Sequence, residues 1–151
     1  MKYLVTGGAG FIGSNLTDAL ITQGHDVLVL DNLSTGKQEN INLKAAFVNA
    51  DIRNLEAIKP HFAGMDGVFH IAALPRVQLS IENPAETNEI NVTGTLNVLM
   101  AAKDAKVKRV VYSASSSAYG DAKTMPLNEE MKPNPLSPYG LQKYIGEEYC
   151  R

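Results

Sequence analysis

Thr6-Gly7-Gly8-Ala9-Gly10-Phe11-Ile12-Gly13 decides how this chain folds. It follows the apolar run Tyr3-Leu4-Val5 and leads into Asn15-Leu16-Thr17-Asp18-Ala19-Leu20-Ile21, an amphipathic segment. The order is strand, glycine turn, helix. A diphosphate suits the N-terminus of such a helix, where free N–H groups and the positive end of the dipole both attract an anion. Gly7 fits the tight turn, Gly10 lets the backbone approach a ligand, and Gly13 lets helix and strand pack closely. A glycine triplet by itself also occurs in plain turns. The flanking strand and helix, with Asp31 about twenty residues on, make it a dinucleotide-binding signature.

Working outward, apolar runs alternate with helical patterns, as in a parallel sheet covered on both faces. Strands are expected at Lys2 to Val5, Asp26 to Leu30, Ala45 to Val48, Gly67 to Ile71 and Lys108 to Tyr112. Helices are expected near Gly10–Thr22, Leu55–Phe62 and Ala85–Ala102. A last helix starts at Ser137-Pro138, an N-cap followed by proline at the first helical position. The stretch Asp121 to Pro138 holds Pro126, Pro133, Pro135 and Pro138 and reads as an ordered loop. No repeat or low-complexity segment interrupts this pattern. The fold expected is α/β, a doubly wound parallel sheet of Rossmann type with about five strands. Tyr139 to Arg151 stops in helical pattern without a glycine cap or breaker, so the chain is expected to be cut short.

A length of 151 residues fits one domain with one core. The apolar share of 44% and charged share of 20% are those of a soluble globular protein. A net charge of −2 gives no electrostatic reason to expect nucleic acid or an anionic membrane as partner. The single cysteine, Cys150, excludes an internal disulfide and a cysteine-cluster metal site, and no metal is expected. No apolar run reaches membrane-spanning length and the N-terminus lacks a signal-peptide pattern, so a cytoplasmic setting is expected.

Asp31 closes the run Val27-Leu28-Val29-Leu30, where a carboxylate can accept hydrogen bonds from a ribose diol and would repel a 2′-phosphate. That favours NAD over NADP. Asp51-Ile52 ends the third strand, where it either meets an adenine edge or caps the helix near Leu55. His70, before Ile71-Ala72-Ala73-Leu74, reads as a buried structural histidine, and the small residues after it suit either a flat cofactor or tight packing. Asn91 belongs to a polar helix face with Asn88, Thr93, Thr95 and Asn97, and its spacing singles it out for nothing. Ser113 to Ser117 is either a serine-rich turn or a set of hydroxyls facing a ligand crevice at a strand's carboxyl end. Tyr139 and Lys143, an i,i+4 pair, favour the second reading. A tyrosine of ordinary pKa about 10 is a poor base at neutral pH. A lysine ammonium and an oxidised nicotinamide ring nearby would both favour its phenolate.

Taken together, these motifs resemble the extended short-chain dehydrogenase/reductase family, its NAD-dependent sugar epimerase/dehydratase group and, within that, UDP-glucose 4-epimerases. The resemblance runs from Gly7-Gly8-Ala9-Gly10-Phe11-Ile12-Gly13 through Asp31 to Gly36, Asp51-Ile52, His70 to Ala73 and Asn91 to Thr95, ending at Tyr139-Gly140-Leu141-Gln142-Lys143. It implies that Phe11 and Ile12 contact the NAD diphosphate, and that Asp31, Asn32, Leu33, Ser34, Thr35 and Gly36 hold the adenosine. Asp51 and Ile52 would border the adenine. Ile71, Ala72, Ala73, Leu74 and Pro75 would line the cofactor, with Asn91 and Ser113 in support. Tyr139 would be the base and Lys143 would bind the nicotinamide ribose. Ser115 would hydrogen-bond the reacting hydroxyl, and Ser116 and Ser117 would also touch the sugar.

The reaction implied is 4-epimerisation of a UDP-hexose: Tyr139 takes a proton from the sugar 4-OH as hydride leaves C4. The resulting 4-keto sugar turns over before hydride returns to its other face. Dehydratases and decarboxylases of the group place an acidic residue just after the serine or threonine. This chain has Ser116 and Ser117 there, which argues for epimerisation or simple reduction. A non-catalytic NAD-binding module is the alternative from another class, and the 151-residue chain alone fits it. Members of the group are about twice as long, their second half supplying the last strands and the nucleotide-sugar domain. Residues 1–151 are therefore expected to form an incomplete NAD-binding domain without its substrate domain. The family's homodimer uses two helices matching Ala85–Ala102 and the one ending at Arg151.

Overall fold

The computed structural model describes residues 1–122 and 124–151; Lys123, inside the expected proline-rich loop, lies outside the described residues. Strands β1 (Lys2–Thr6), β2 (Asp26–Asp31), β3 (Ala46–Asn49), β4 (Gly67–His70) and β5 (Arg109–Tyr112) form one sheet. Its order is β3-β2-β1-β4-β5 and every pair is parallel. Leu4 pairs with Leu28 and Val68, Val5 with Val29 and Phe69. Successive side chains leave opposite faces. Leu4, Leu30 and Val68 accordingly join Ile58, Phe62, Val98 and Ala101 in one layer, while Val5, Val27 and Val29 join Leu20 in the other. Burial on both faces demands apolar residues at consecutive positions, hence the unbroken apolar runs.

Helix α1 (Phe11–Thr22) follows β1 with Gly10 as its N-cap. α2 is only Leu55–Ile58, because Pro60 brings no N–H and the backbone tightens into a 3-10 turn over Lys59–Phe62. α3 (Val77–Glu82) has no counterpart among the expected helices. The helix expected over Ala85–Ala102 is α4 (Pro84–Asn88) and α5 (Thr95–Asp104), joined by a π-helical turn at Glu89–Gly94. α6 (Pro138–Cys150) starts as expected, with the Ser137 side chain accepting from the Gly140 N–H. From central β1 the chain moves outward to β2 and β3, then returns to β4 and β5 on its other side. A crevice opens at such a reversal, at the carboxyl ends of the strands.

Candidate functional site

The glycine turn is shaped by close backbone contact. Gly7 sits at φ +70°, and a β-carbon there would lie 2.7 Å from the Ala72 backbone nitrogen. A β-carbon on Gly13 would strike the Gly7 carbonyl oxygen, so Gly13 packs the helix against the turn rather than against the strand. Gly10 caps α1 with extended backbone and no side-chain acceptor, and no acidic residue occupies the first turn. First-turn amides have no intrahelical acceptor. Those of Phe11 and Ile12 are therefore free toward the cleft, and both side chains are exposed.

Ala9 fastens the next segment to this turn. Its N–H donates to Asp31 Oδ2 (3.0 Å), and its carbonyl accepts from the Lys37 N–H (3.1 Å) and Asn40 Nδ2 (2.9 Å). The other carboxylate oxygen of buried Asp31 accepts from the Leu33 N–H at 2.7 Å. Asp51 accepts from Asn32 Nδ2 (3.0 Å), the Arg53 N–H (2.9 Å) and Arg53 Nη2 (2.7 Å). The hydrogen bonds from Arg53 pull its carboxyl down to about 2. Asn54, not Asp51, caps α2, accepting from the Ala57 N–H. Asp51 also lies two residues past the end of β3 rather than ending it.

His70 is fully buried, as the sequence suggested, and links three elements. The Ile71 and Ala72 N–H groups both donate to Thr6 Oγ1, which lies 2.7 Å from His70 Nδ1. His70 Nε2 lies 2.9 Å from Thr95 Oγ1, which donates to the Asn91 carbonyl. Proton accounting fixes this relay. Thr95 spends its hydrogen on Asn91 and so accepts from Nε2–H, leaving Nδ1 to accept from Thr6. Burial, with Lys143 adding to it, holds the imidazole down to about 3, so it stays neutral.

Asn91 does not line the cleft but reaches it through the backbone. Its Oδ1 accepts from the Leu74 N–H (2.8 Å), and its Nδ2 donates to the Leu74 carbonyl (3.2 Å) and to Gln142 Oε1 (2.8 Å). α6 brings Tyr139 and Lys143, both nearly buried, to the cleft one turn apart. The Tyr139 N–H donates to buried Ser80 Oγ at 3.0 Å. Lys143 Nζ lies 4.2 Å from the centre of the Tyr112 ring, and burial brings its ammonium down to about 8.

These groups surround one cleft of about 420 Å³. Its walls include Gly7, Gly10 to Gly13, Asp31, Asn32 and Ser34 to Gly36 on the glycine-turn side. Asp51, Ile52, Ile71 to Pro75, Ser113, Tyr139 and Lys143 complete them. Leu33 does not line it, and the lining passes through Ser113 and Ala114 but stops before Ser115, Ser116 and Ser117. Ser115 instead accepts from the Ser117 N–H, capping the 3-10 turn Ser116–Tyr119. Sequence reading missed Ala9, Asn40, Ser80 and Gln142, since each acts on a partner distant in the chain. The one signal was Gln142, a polar residue between Tyr139 and Lys143.

Residues 3–151 match the NAD dependent epimerase/dehydratase family. The chain belongs to that family. A Methanocaldococcus jannaschii relative is 49% identical to this epimerase/dehydratase chain over 150 residues, 98% of this chain and 49% of that protein. The crystal structure of UDP-glucose 4-epimerase with UDP-glucose from Thermotoga maritima matches at TM-score 0.95 and 42% identity. That match covers 99% of this chain and 50% of the other. Thermus thermophilus UDP-glucose 4-epimerase, in complex with NAD, matches at TM-score 0.93 and 39% identity, covering 99% and 49%. This epimerase/dehydratase chain spans about half the length of the relatives it matches.

Proposed function

We propose that this chain is the NAD-binding domain of a nucleotide-sugar 4-epimerase acting on UDP-glucose and UDP-galactose. One observation carries the reading: a helix N-terminus with no side-chain cap and the Tyr139–Lys143 pair open onto the same cleft. The groups present fit the cofactor. The first-turn amides of α1 await an anion, Gly7 and Gly13 keep side chains out of the turn, and a carboxylate stands at the end of β2. When bound, NAD would supply a hydride acceptor that later returns the hydride. Phe11 and Ile12 would hold its diphosphate, Asp31 the adenosine ribose, and Lys143 the other ribose. Lys143 would also favour the Tyr139 phenolate, which takes the proton of the sugar 4-hydroxyl. Ser115 to Ser117, outside the cleft lining, would meet the sugar at its rim.

Serines rather than a carboxylate follow Ser115, which favours epimerisation over dehydration or decarboxylation. The family-type dimer through α5 and α6 belongs to the same proposal, supported by exposed Leu96, Met100 and Leu141 on those helices. So does a cytoplasmic setting; among the described residues no helix is long and apolar enough to cross a membrane.

The test is NAD titration of the chain, with UDP-galactose turnover measured after joining it to the second half of a related epimerase. Tyr139→Phe should abolish turnover and spare NAD binding. A chain without affinity for NAD would overturn the cofactor reading. A Tyr139→Phe fusion that interconverts the epimers at near-parental rate would overturn the base.

A further inference from the structure

Gln142 is buried on α6 between the two residues that enter the cleft. Its Oε1 accepts from Asn91 Nδ2 at 2.8 Å and its Nε2 donates to Thr87 Oγ1 at 3.0 Å. Thr87 sends its own hydroxyl hydrogen to the Asn83 or Pro84 carbonyl. Both hydrogens of the Asn91 amide are therefore committed, one to Leu74 and one to Gln142, and neither amide can be flipped without leaving a buried donor unpaired. The result is a continuous line from the Leu74 wall of the cleft through Asn91 to the catalytic helix.

The other contacts of α6 bear on β5 and the Ser116–Tyr119 turn, where the Tyr112 hydroxyl donates to the Lys143 carbonyl at 3.4 Å. Where it meets the Ser117 carbonyl and the Tyr112 hydroxyl it presents Gly140 and Gly146, and a β-carbon at either position would collide. Two glycine surfaces let a helix come close without interlocking side chains. Ser80 holds its first turn through the Tyr139 N–H. Beyond that turn, the directional side-chain bonds fixing the helix against α4 and the π-helical turn are those of Gln142.

We propose that Gln142 is a positioning residue: its bridge to Asn91 and Thr87 sets the rotation and height of α6, and thereby places Lys143 and Tyr139 relative to the Leu74 wall. The inference rests on the roles given above to Tyr139 and Lys143. A glutamine that merely filled space would hold α6 without affecting what Lys143 meets.

The test compares the parent with Gln142→Met, which keeps length and loses the amide, and with Val98→Ala, which costs stability by truncating a core residue that does not itself line the cleft. In the chain without cofactor, competitive acylation of Lys143 across pH is followed by peptide mass spectrometry. The titratable groups around Lys143 are Tyr112, Tyr139, neutral His70 and Cys150, all unchanged in these variants, so the midpoint reports placement. Gln142→Met should move the midpoint upward from the parental value toward the ordinary lysine range near 10.4, while Val98→Ala leaves it in place. NAD should bind Gln142→Met about tenfold more weakly or worse, equivalent to about 1.4 kcal/mol, measured where every variant is folded. A Gln142→Met profile that coincides with Val98→Ala overturns the proposal. If Gln142→Met does not fold, Thr87→Val removes one arm of the bridge and should shift the midpoint the same way by less; an unshifted midpoint there also overturns it. A parent that fails to bind NAD refutes the site reading instead, while the acylation profile still decides the role of Gln142.

Discussion

Replacing Lys143 by methionine should stabilise the cofactor-free chain while removing its affinity for NAD. Burial brings the ammonium from 10.5 down to about 8, which corresponds to about 3 kcal/mol opposing the charged form at neutral pH. Methionine keeps the aliphatic stem against Tyr112 and loses the cation over the ring, a contact at 4.2 Å that offsets about 0.5–2 kcal/mol of this cost. The net expectation is a gain of about 1–3 kcal/mol at pH 7, or about 2–12 °C in Tm for a domain of this size. The sign follows from the lowered value. Between about 8 and 10.5 the unfolded chain holds a proton that the folded chain lacks, so parental stability rises with pH across that window. The burial penalty should therefore shrink from about 3 kcal/mol at pH 7 to about 1 kcal/mol at pH 10, and the advantage of the variant with it. Scanning calorimetry at both pH values, with NAD titration at pH 7, measures all three effects. A Lys143→Met chain that melts below the parent at pH 7, or whose gain persists undiminished at pH 10, would refute the reasoning.

NAD should bind at least about tenfold more tightly than NADP, because a 2′-phosphate would meet the Asp31 carboxylate, and Asp31→Asn should narrow the gap. Equal affinities of the parent for the two cofactors in calorimetric titration would remove Asp31 from that role. His70→Leu should cost about 3 kcal/mol, since Thr6 and Thr95 each lose a buried partner. Burial holds His70 near 3 against an ordinary 6.5, so the unfolded state takes the proton first and the parent loses stability as pH falls from about 6.5 toward 3. Urea midpoints at pH 7 and pH 5 should drop less steeply with acid in His70→Leu than in the parent; equal drops would contradict the assignment.

The sheet was legible because each strand is a run of apolar residues, and observed boundaries fall within one residue of those read from Tyr3-Leu4-Val5 and its counterparts. α3 was not, since six residues give too little periodicity to register. The π-helical turn was also hidden. The Thr95 hydroxyl on the Asn91 carbonyl is local, but the contacts around it come from Leu74 and Gln142, 17 and 51 positions away. In the site, glycine spacing and the i,i+4 pair announce themselves because the chemistry is local. Asp51 showed the limit, since a carboxylate ahead of a helix looks like its cap and only the fold reveals Asn54 in that place. Ala9 could not stand out at all, because it contributes only its peptide group.

That peptide group has a consequence for how cofactor preference can change. Asp31 and Lys37, on either side of Asn32 to Gly36, are tied to the N–H and the C=O of the same residue. The segment is thus a closed ring with a single hinge pin, and Asn32 to Thr35 form its exchangeable part, since a β-carbon on Gly36 would come within 2.8 Å of Ala9. Substitutions there would remodel that wall of the cleft while the sheet and the glycine turn keep their places. Adding or deleting a residue, by contrast, would break the ring and loosen the glycine turn.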